Sequence, residues 1–211
     1  MMRTRTILIS LLAMILFSPG CQGTGQVVNL DVHKPPLASK NIGQGLRILV
    51  RPFEDHRPTK EEIGVRTHLG GGLTYFTIWD GKLGKGMAEI FVTLLNNRGF
   101  RAKLLSETDS TPATTSETDV ILSGRIRELS ANAHSRVGST QLAVNILLEL
   151  EAHNLSDGSV VRVTVGAGGS DTVVWFETKD LEELVNEVLR EVFRQFLQEV
   201  RVQENTLRSR T

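Results

Sequence analysis

The chain has 211 residues, 40% of them hydrophobic and 23% charged, with 19 Gly and 6 Pro. That composition excludes a collagen-like fibre, a coiled coil and a disordered polar chain, and one globular domain is the default. The 24 basic and 24 acidic side chains cancel, so no excess of positive charge is on offer to nucleic acid, and no nucleic-acid partner is expected.

The first twenty residues read as a segment removed before folding. Arg3 and Arg5 supply a positive start, Ile7 to Phe17 (ILISLLAMILF) an apolar run of eleven, and Ser18-Pro19-Gly20 leads to the one cysteine, Cys21. A largely apolar run of eleven residues is too short to span a bilayer, which takes about 20, and the order of charge, apolar run and small residue is that of a secretory signal. A lone thiol in an exported protein cannot form an internal disulfide. Its position directly after Gly20 resembles the lipobox of bacterial lipoproteins, in which the cysteine becomes the acylated first residue of the mature chain. That resemblance implies a signal peptide over 1–20, lipidation of Cys21 (palmitate among the acyl chains) and attachment to the membrane through them. By likeness to enterobacterial lipoprotein sorting, Gln22 after the cysteine implies the outer membrane, on its periplasmic side. Without residues 1–20 the chain loses two arginines and no acid, which leaves 22 basic against 24 acidic groups. No polybasic second membrane signal is present, so anchoring would rest on two or more acyl chains.

Residues 21–45 are Gly-rich and polar with a Pro35-Pro36 pair, and read mainly as a tether in which Val27 to Val32 could form a short edge strand. A flexible tether of about 24 residues would reach roughly 25–30 Å on average and let the domain stand off the membrane. Leu46 to Val50 alternates and stops at Pro52, a first strand; Leu73 to Ile78 is a weaker one. Met87, Ile90, Phe91, Leu94 and Leu95 fall on one helical stripe. Gly99 is placed for the left-handed position that ends the helix, and Phe100 for its apolar partner. Ala102 to Leu105 makes a short strand, and Thr108 to Thr118 an exposed loop. Val120 to Leu129 and Gln141 to Ala152 are longer strands. In the second, Leu142, Val144, Ile146, Leu148 and Leu150 point one way and Asn145, Glu149 and Glu151 the other, as in a sheet with one covered face. Asp157-Gly158 signals a turn into Val161, Val163 and Val165 as an antiparallel partner. From Leu181 to Val200 apolar residues keep helical spacing, with Asp180 and Glu183 as a capping-box variant at the start. Residues 204–211 read as a polar tail, leaving 46–203 as the domain.

Possible chemical sites are few. Asp55-His56-Arg57 holds an acid, a base and a cation, but neighbouring residues in an extended segment point apart, so the triple is expected in turn and hydrogen-bonding duty or, with the segment from Glu54 to Gly72, as a contact surface for a partner. His33, His56, His68, His134 and His153 include no i, i+4 pair, so no metal is expected. Gly81 to Gly86 lacks the order of a phosphate-binding P-loop, and Gly166 to Gly169 lacks the third glycine of a dinucleotide fingerprint. Both read as loops, and no cofactor is expected.

The order of the scattered positions adds a resemblance: a strand ending in Pro52-Phe53, Asp55-x-Arg57-Pro58, Ile63-Gly64, a helix closing on Leu95-x-x-Arg98-Gly99-Phe100, and Ile126-x-x-Leu129-x-Ala131-x-Ala133, then an aliphatic hairpin and a long helix. Over Leu46 to Val202 this resembles the YajG-type lipoproteins, and is similar in pattern to the periplasmic domain of the curli-secretion lipoprotein and to penicillin-binding-protein-activator lipoproteins. It implies an outer-membrane lipoprotein with no catalytic residues. The expected fold is α+β, a mostly antiparallel mixed sheet of four to six strands with two helices on one face. The expected function is that of a non-enzymatic binding or scaffold protein of the cell envelope, contacting an envelope protein partner; the alternative is an accessory subunit of an envelope export or lipid-transport assembly.

Overall fold

The computed structural model describes residues 25–32, 41–105 and 117–210. In chain order its strands are β1 (Gln26–Leu30), β2 (Arg47–Val50), β3 (Glu54–Asp55), β4 (Gly64–Thr67), β5 (Leu73–Ile78), β6 (Arg101–Leu104), β7 (Val120–Arg136), β8 (Ser139–Asn154), β9 (Val160–Val173), β10 (Val200–Gln203) and β11 (Thr206–Ser209). Helix α1 (Leu83–Asn96) lies between β5 and β6, and α2 (Thr178–Glu199) between β9 and β10.

Strand β7, 17 residues long, organises the sheet. One of its edges pairs antiparallel with β8 from Val120↔Asn154 to Arg136↔Ser139, and β8 pairs likewise with β9. The other edge is shared by three short parallel partners, β2 at Val120 to Leu122, β3 at Arg125 and Ile126, and β4 at Ala133 and His134. Outside them lie β6 against β2, β5 against β4, and β1 against β5. The α+β class holds, but the described sheet has nine strands rather than four to six. It is also less antiparallel than the sequence predicts, since five of its eight pairings are parallel. The reason is physical: strands of two to five residues carry too little alternation to be read, and a long β7 edge satisfies its backbone groups with whichever extended segments run beside it.

The covered face follows the periodicity. Leu142, Val144, Ile146, Leu148 and Leu150 are at most 2% exposed, and α2 lays Leu181, Val185, Val188, Leu189, Val192, Phe193 and Phe196 over the sheet. Helix α1 joins through Phe91, whose ring lies 5.1 Å from Phe53, 5.5 Å from Phe193 and 6.3 Å from Phe196. At its end Gly99 (φ 83°) permits the expected reversal, with Gly99 N–H donating to Asn96 O and Phe100 N–H to Leu95 O, the paired bonds of a Schellman motif. The α2 cap lies earlier than predicted: Glu177 and Asp180 exchange the capping-box bonds.

Three other expectations change. Gly166 to Gly169 is not a loop but the interior of β9, where a Cβ on Gly169 would sit 2.8 Å from Val188 Cγ2, so the missing side chain lets helix and sheet approach. The tail contains β11, with Leu207 fully buried and both its backbone groups bonded to the Asn154 side chain at 2.8 and 2.9 Å. The tether contributes β1, and only three residues separate Cys21 from Gly25, the first described residue. Four chain steps span at most about 14 Å, so the reach of roughly 25–30 Å reckoned for a wholly flexible tether does not apply between Cys21 and Gly25.

Candidate functional site

The face of β7, β8 and β9 turned away from the helices carries the charged side chains. Period two sends Arg125 of β7 and Glu149 and Glu151 of β8 outward. A bulge between Ile126 and Glu128 then inserts Arg127 as an unpaired residue, which re-aims its side chain. Arg127 Nε lies 2.9 Å from Glu149 Oε1, and Arg127 Nη1 lies 3.4 Å from His56 Nδ1. His56 Nε2 lies 2.9 Å from Glu54 Oε2, and Arg125 spans Glu54 (3.5 Å) and Glu149 (3.9 Å). In the Nε2–H tautomer the imidazole donates to Glu54 and accepts from Arg127. Arg162 of β9 closes the row on Glu151 at 2.8 Å.

The electrostatics follow from these contacts. The bond to His56, assisted by Arg125, holds the Glu54 carboxyl below its ordinary range, and the bond from Arg127 does the same for Glu149. Three carboxylates and two guanidinium groups surround a shallow cleft of about 150 Å³ lined by Glu54, Arg125, Glu149, Glu151, Arg162 and Thr164, with Arg127 beside it on Glu149. Small-molecule pockets usually run to about 300–1,000 Å³, a range that lies above the volume of this cleft. Exposed pairs of this kind add little stability, and their contacts hold the side chains in a fixed orientation.

The predicted contact triple divides. Asp55 and Arg57, two apart along an extended segment, turn to the same side: Arg57 Nε and Nη2 reach Asp55 Oδ1 and Oδ2 at 3.0 and 2.9 Å. Arg57 also donates to Glu62 O at 3.0 Å and Lys60 O at 3.3 Å, and is 6% exposed. It is therefore a clasp inside the 57–63 loop, with no donor face turned to a partner. Burial pushes the Asp55 carboxyl up, but the Arg57 hydrogen bonds outweigh it and the net shift is downward. His56 alone of the triple belongs to the outward network. The segment from Glu54 to Gly72 is more framework than expected, since it contains β3 and β4; an open cleft of about 270 Å³ lies between its Pro58, Glu62 and Ile63 and the Arg127 and Ser130 edge of β7.

Sequence reasoning included Glu54 in the Glu54 to Gly72 segment but missed Arg125 and Arg127. The alternation of Arg125 and Arg127 is visible in the sequence, but that Glu54, His56 and Glu149 lie beside them is decided by tertiary pairing and leaves no local signature. Cys21 and His33 lie outside the described residues. Among the described residues no group of three or more His, Cys, Asp or Glu side chains is arranged to hold a metal ion, and no helix is long and apolar enough to cross a membrane.

No family model and no curated protein matches the chain. Among solved structures it is similar to a Xanthomonas campestris protein of the family DUF330, at 12% identity and TM-score 0.49 over 82% of this chain and 92% of that one. It is also similar to the PelC dodecamer of Paraburkholderia phytofirmans (16%, TM-score 0.37, 76% and 93%) and to a Neisseria meningitidis lipoprotein (11%, TM-score 0.38, 70% and 98%). Likeness at this level assigns no activity, and function has to be argued from this chain's own residues.

Proposed function

We propose that the protein is a non-enzymatic envelope lipoprotein, held on the periplasmic side of the outer membrane by acyl chains on Cys21, that presents its open sheet face to another envelope protein. The observation that carries this reading is the sole cysteine placed directly after an eleven-residue apolar run. The strand Gln26–Leu30, which pairs into the sheet a few residues after Cys21, fits it, because the mature chain would then enter the domain close to its start. The row from His56 and Glu54 across Arg125, Arg127 and Glu149 to Arg162 is the surface proposed for contact, because exposed charges arranged in fixed register give specificity at little cost to the fold.

The test is charge reversal at Arg125 and Arg127 together in the full chain, followed by crosslinking in intact cells. The expected result is loss of crosslinked partners with the melting temperature unchanged within a few degrees. An unchanged partner set rejects this surface. A stoichiometric assembly that survives in detergent would instead support an accessory-subunit role.

A further inference from the structure

The large apolar side chains left in solvent are not scattered. Among the described residues, Val27, Leu69, Val137, Val174 and Trp175 are exposed by 62, 65, 87, 81 and 83%. Single exposed apolar residues need no explanation, but the register places all five at one end of the sheet. Val137 is in the turn between Arg136 and Ser139, which pair. Thr140 pairs with Val173, so Val174 and Trp175 leave β9 beside that turn. Thr67 pairs with Leu73, and Thr67 also lies against His134 of β7, so the turn bearing Leu69 is at the same end. Gln26 pairs with Thr74, and Gly25 N–H donates to Leu73 O, so β1 and Val27 start there too.

The segment holding Trp175 is seated rather than loose. Phe176 turns inward, 6.4 Å from the Phe76 ring and with the Arg66 guanidinium 4.2 Å above its own ring. Its two predecessors are thereby left pointing out. Below it, His68 is hydrogen-bonded to Thr74 at 2.8 Å, which ties down the turn carrying Leu69.

The chain that leads back to Cys21 leaves from this end, at Gly25. The stretches bordering 33–40 and 106–116 leave elsewhere, because β1 runs away from this end and β6 lies beside the opposite half of β7. Four chain steps from Cys21 to Gly25 allow at most about 14 Å. A domain so closely tied has to bring this end to the bilayer surface, where the amphipathic indole of Trp is at home in the headgroup layer. We infer that the end formed by Val27, Leu69, Val137, Val174 and Trp175 docks onto the lipid bilayer that holds the Cys21 acyl chains, with Trp175 in the interface and the charged sheet face left upright for a protein partner. This rests on the lipoprotein reading and adds an orientation that acylation alone does not require.

Tryptophan fluorescence of the acylated full chain tests it, because Trp79 and Trp175 are the only two indoles. Wild type, Trp175→Phe and Trp79→Phe are purified in detergent, checked by mass spectrometry for acylation at Cys21, and reconstituted into phosphatidylethanolamine and phosphatidylglycerol vesicles with brominated acyl chains in part of the lipid. The expected result is a blue shift and bromolipid quenching in wild type and Trp79→Phe, both lost in Trp175→Phe, with Trp175 protected from aqueous acrylamide. Acylated protein whose Trp175 is quenched by acrylamide and not by bromolipid overturns the inference and leaves the lipoprotein reading standing. Protection from both quenchers also overturns it, in favour of a protein occupant. An unmodified Cys21 overturns both readings.

Discussion

Replacing Arg57 separates a clasp from a contact residue. The side chain is 6% exposed and gives four hydrogen bonds, two to Asp55 and one each to the Glu62 and Lys60 carbonyls. Removing one partner of a buried ion pair leaves the other charge uncompensated, which costs about 3–5 kcal/mol when burial is deep. The Asp55 side chain keeps 21% of its surface in water, so rehydration recovers part of this and about 2–3 kcal/mol is the working figure for Arg57→Ala. Over a chain of this length that lowers the melting temperature by roughly 4–12 °C. Asp55→Ala should cost less, because Arg57 keeps its two carbonyl acceptors, and the double variant should cost less than the two single losses added together. Urea denaturation of the four proteins, with the slope unchanged, gives the cycle. A loss under about 0.5 kcal/mol for Arg57→Ala, the level of an ordinary surface substitution, would refute the reasoning and return Arg57 to the role of a contact residue.

Further outcomes test the packing and the electrostatics. Gly169→Leu should destabilise by about 1–3 kcal/mol through overpacking against Val188 and Leu184, while Glu187→Lys on the exposed side of α2 should change stability by less than about 0.5 kcal/mol; thermal melts compare them. Asn154→Ala strips the partner from both backbone groups of buried Leu207 and should cost about 1–3 kcal/mol, with early loss of amide-exchange protection in β10 and β11. Asp157 is held at about 2, against 3.8, by the Ser159 hydroxyl and N–H and then by Arg208. A depressed carboxylate stabilises the fold above its unfolded value and loses that contribution as pH falls. Asp157→Asn should therefore be less stable than wild type at neutral pH, with the gap narrowing as pH falls from about 4 through 2; a gap undiminished at pH 2 would contradict this.

The legible parts of the fold were those with a sustained period. Alternation over Leu142 to Leu150 and the apolar stripe from Leu181 to Leu197 placed β8 and α2 with the correct faces inward. Gly99 and Phe100 announced the helix stop because a left-handed residue followed by an apolar one has few other uses. What escaped was decided by tertiary pairing. Glu54–Asp55 is a strand only because Arg125 and Ile126 of β7 lie beside it. The glycines of β9 read as a loop because a breaker and a residue removed for close packing look the same in the sequence. At the site, Asp55 and Arg57 drew attention through their chemistry, but which of the three would be buried depended on a loop folding back so that Arg57 meets the Lys60 and Glu62 carbonyls.

The claim on which the functional account stands is the acylation of Cys21. Intact-mass and N-terminal peptide analysis of the full-length gene product, expressed in a bacterium that processes lipoproteins and extracted from its membranes, measures it directly. The account predicts a mature chain that begins at Cys21 and carries a diacylglyceryl group on its sulfur, released to the soluble fraction or left uncut when Cys21→Ser is made. A chain cut at another position, or one that bears an unmodified thiol at Cys21, would contradict it.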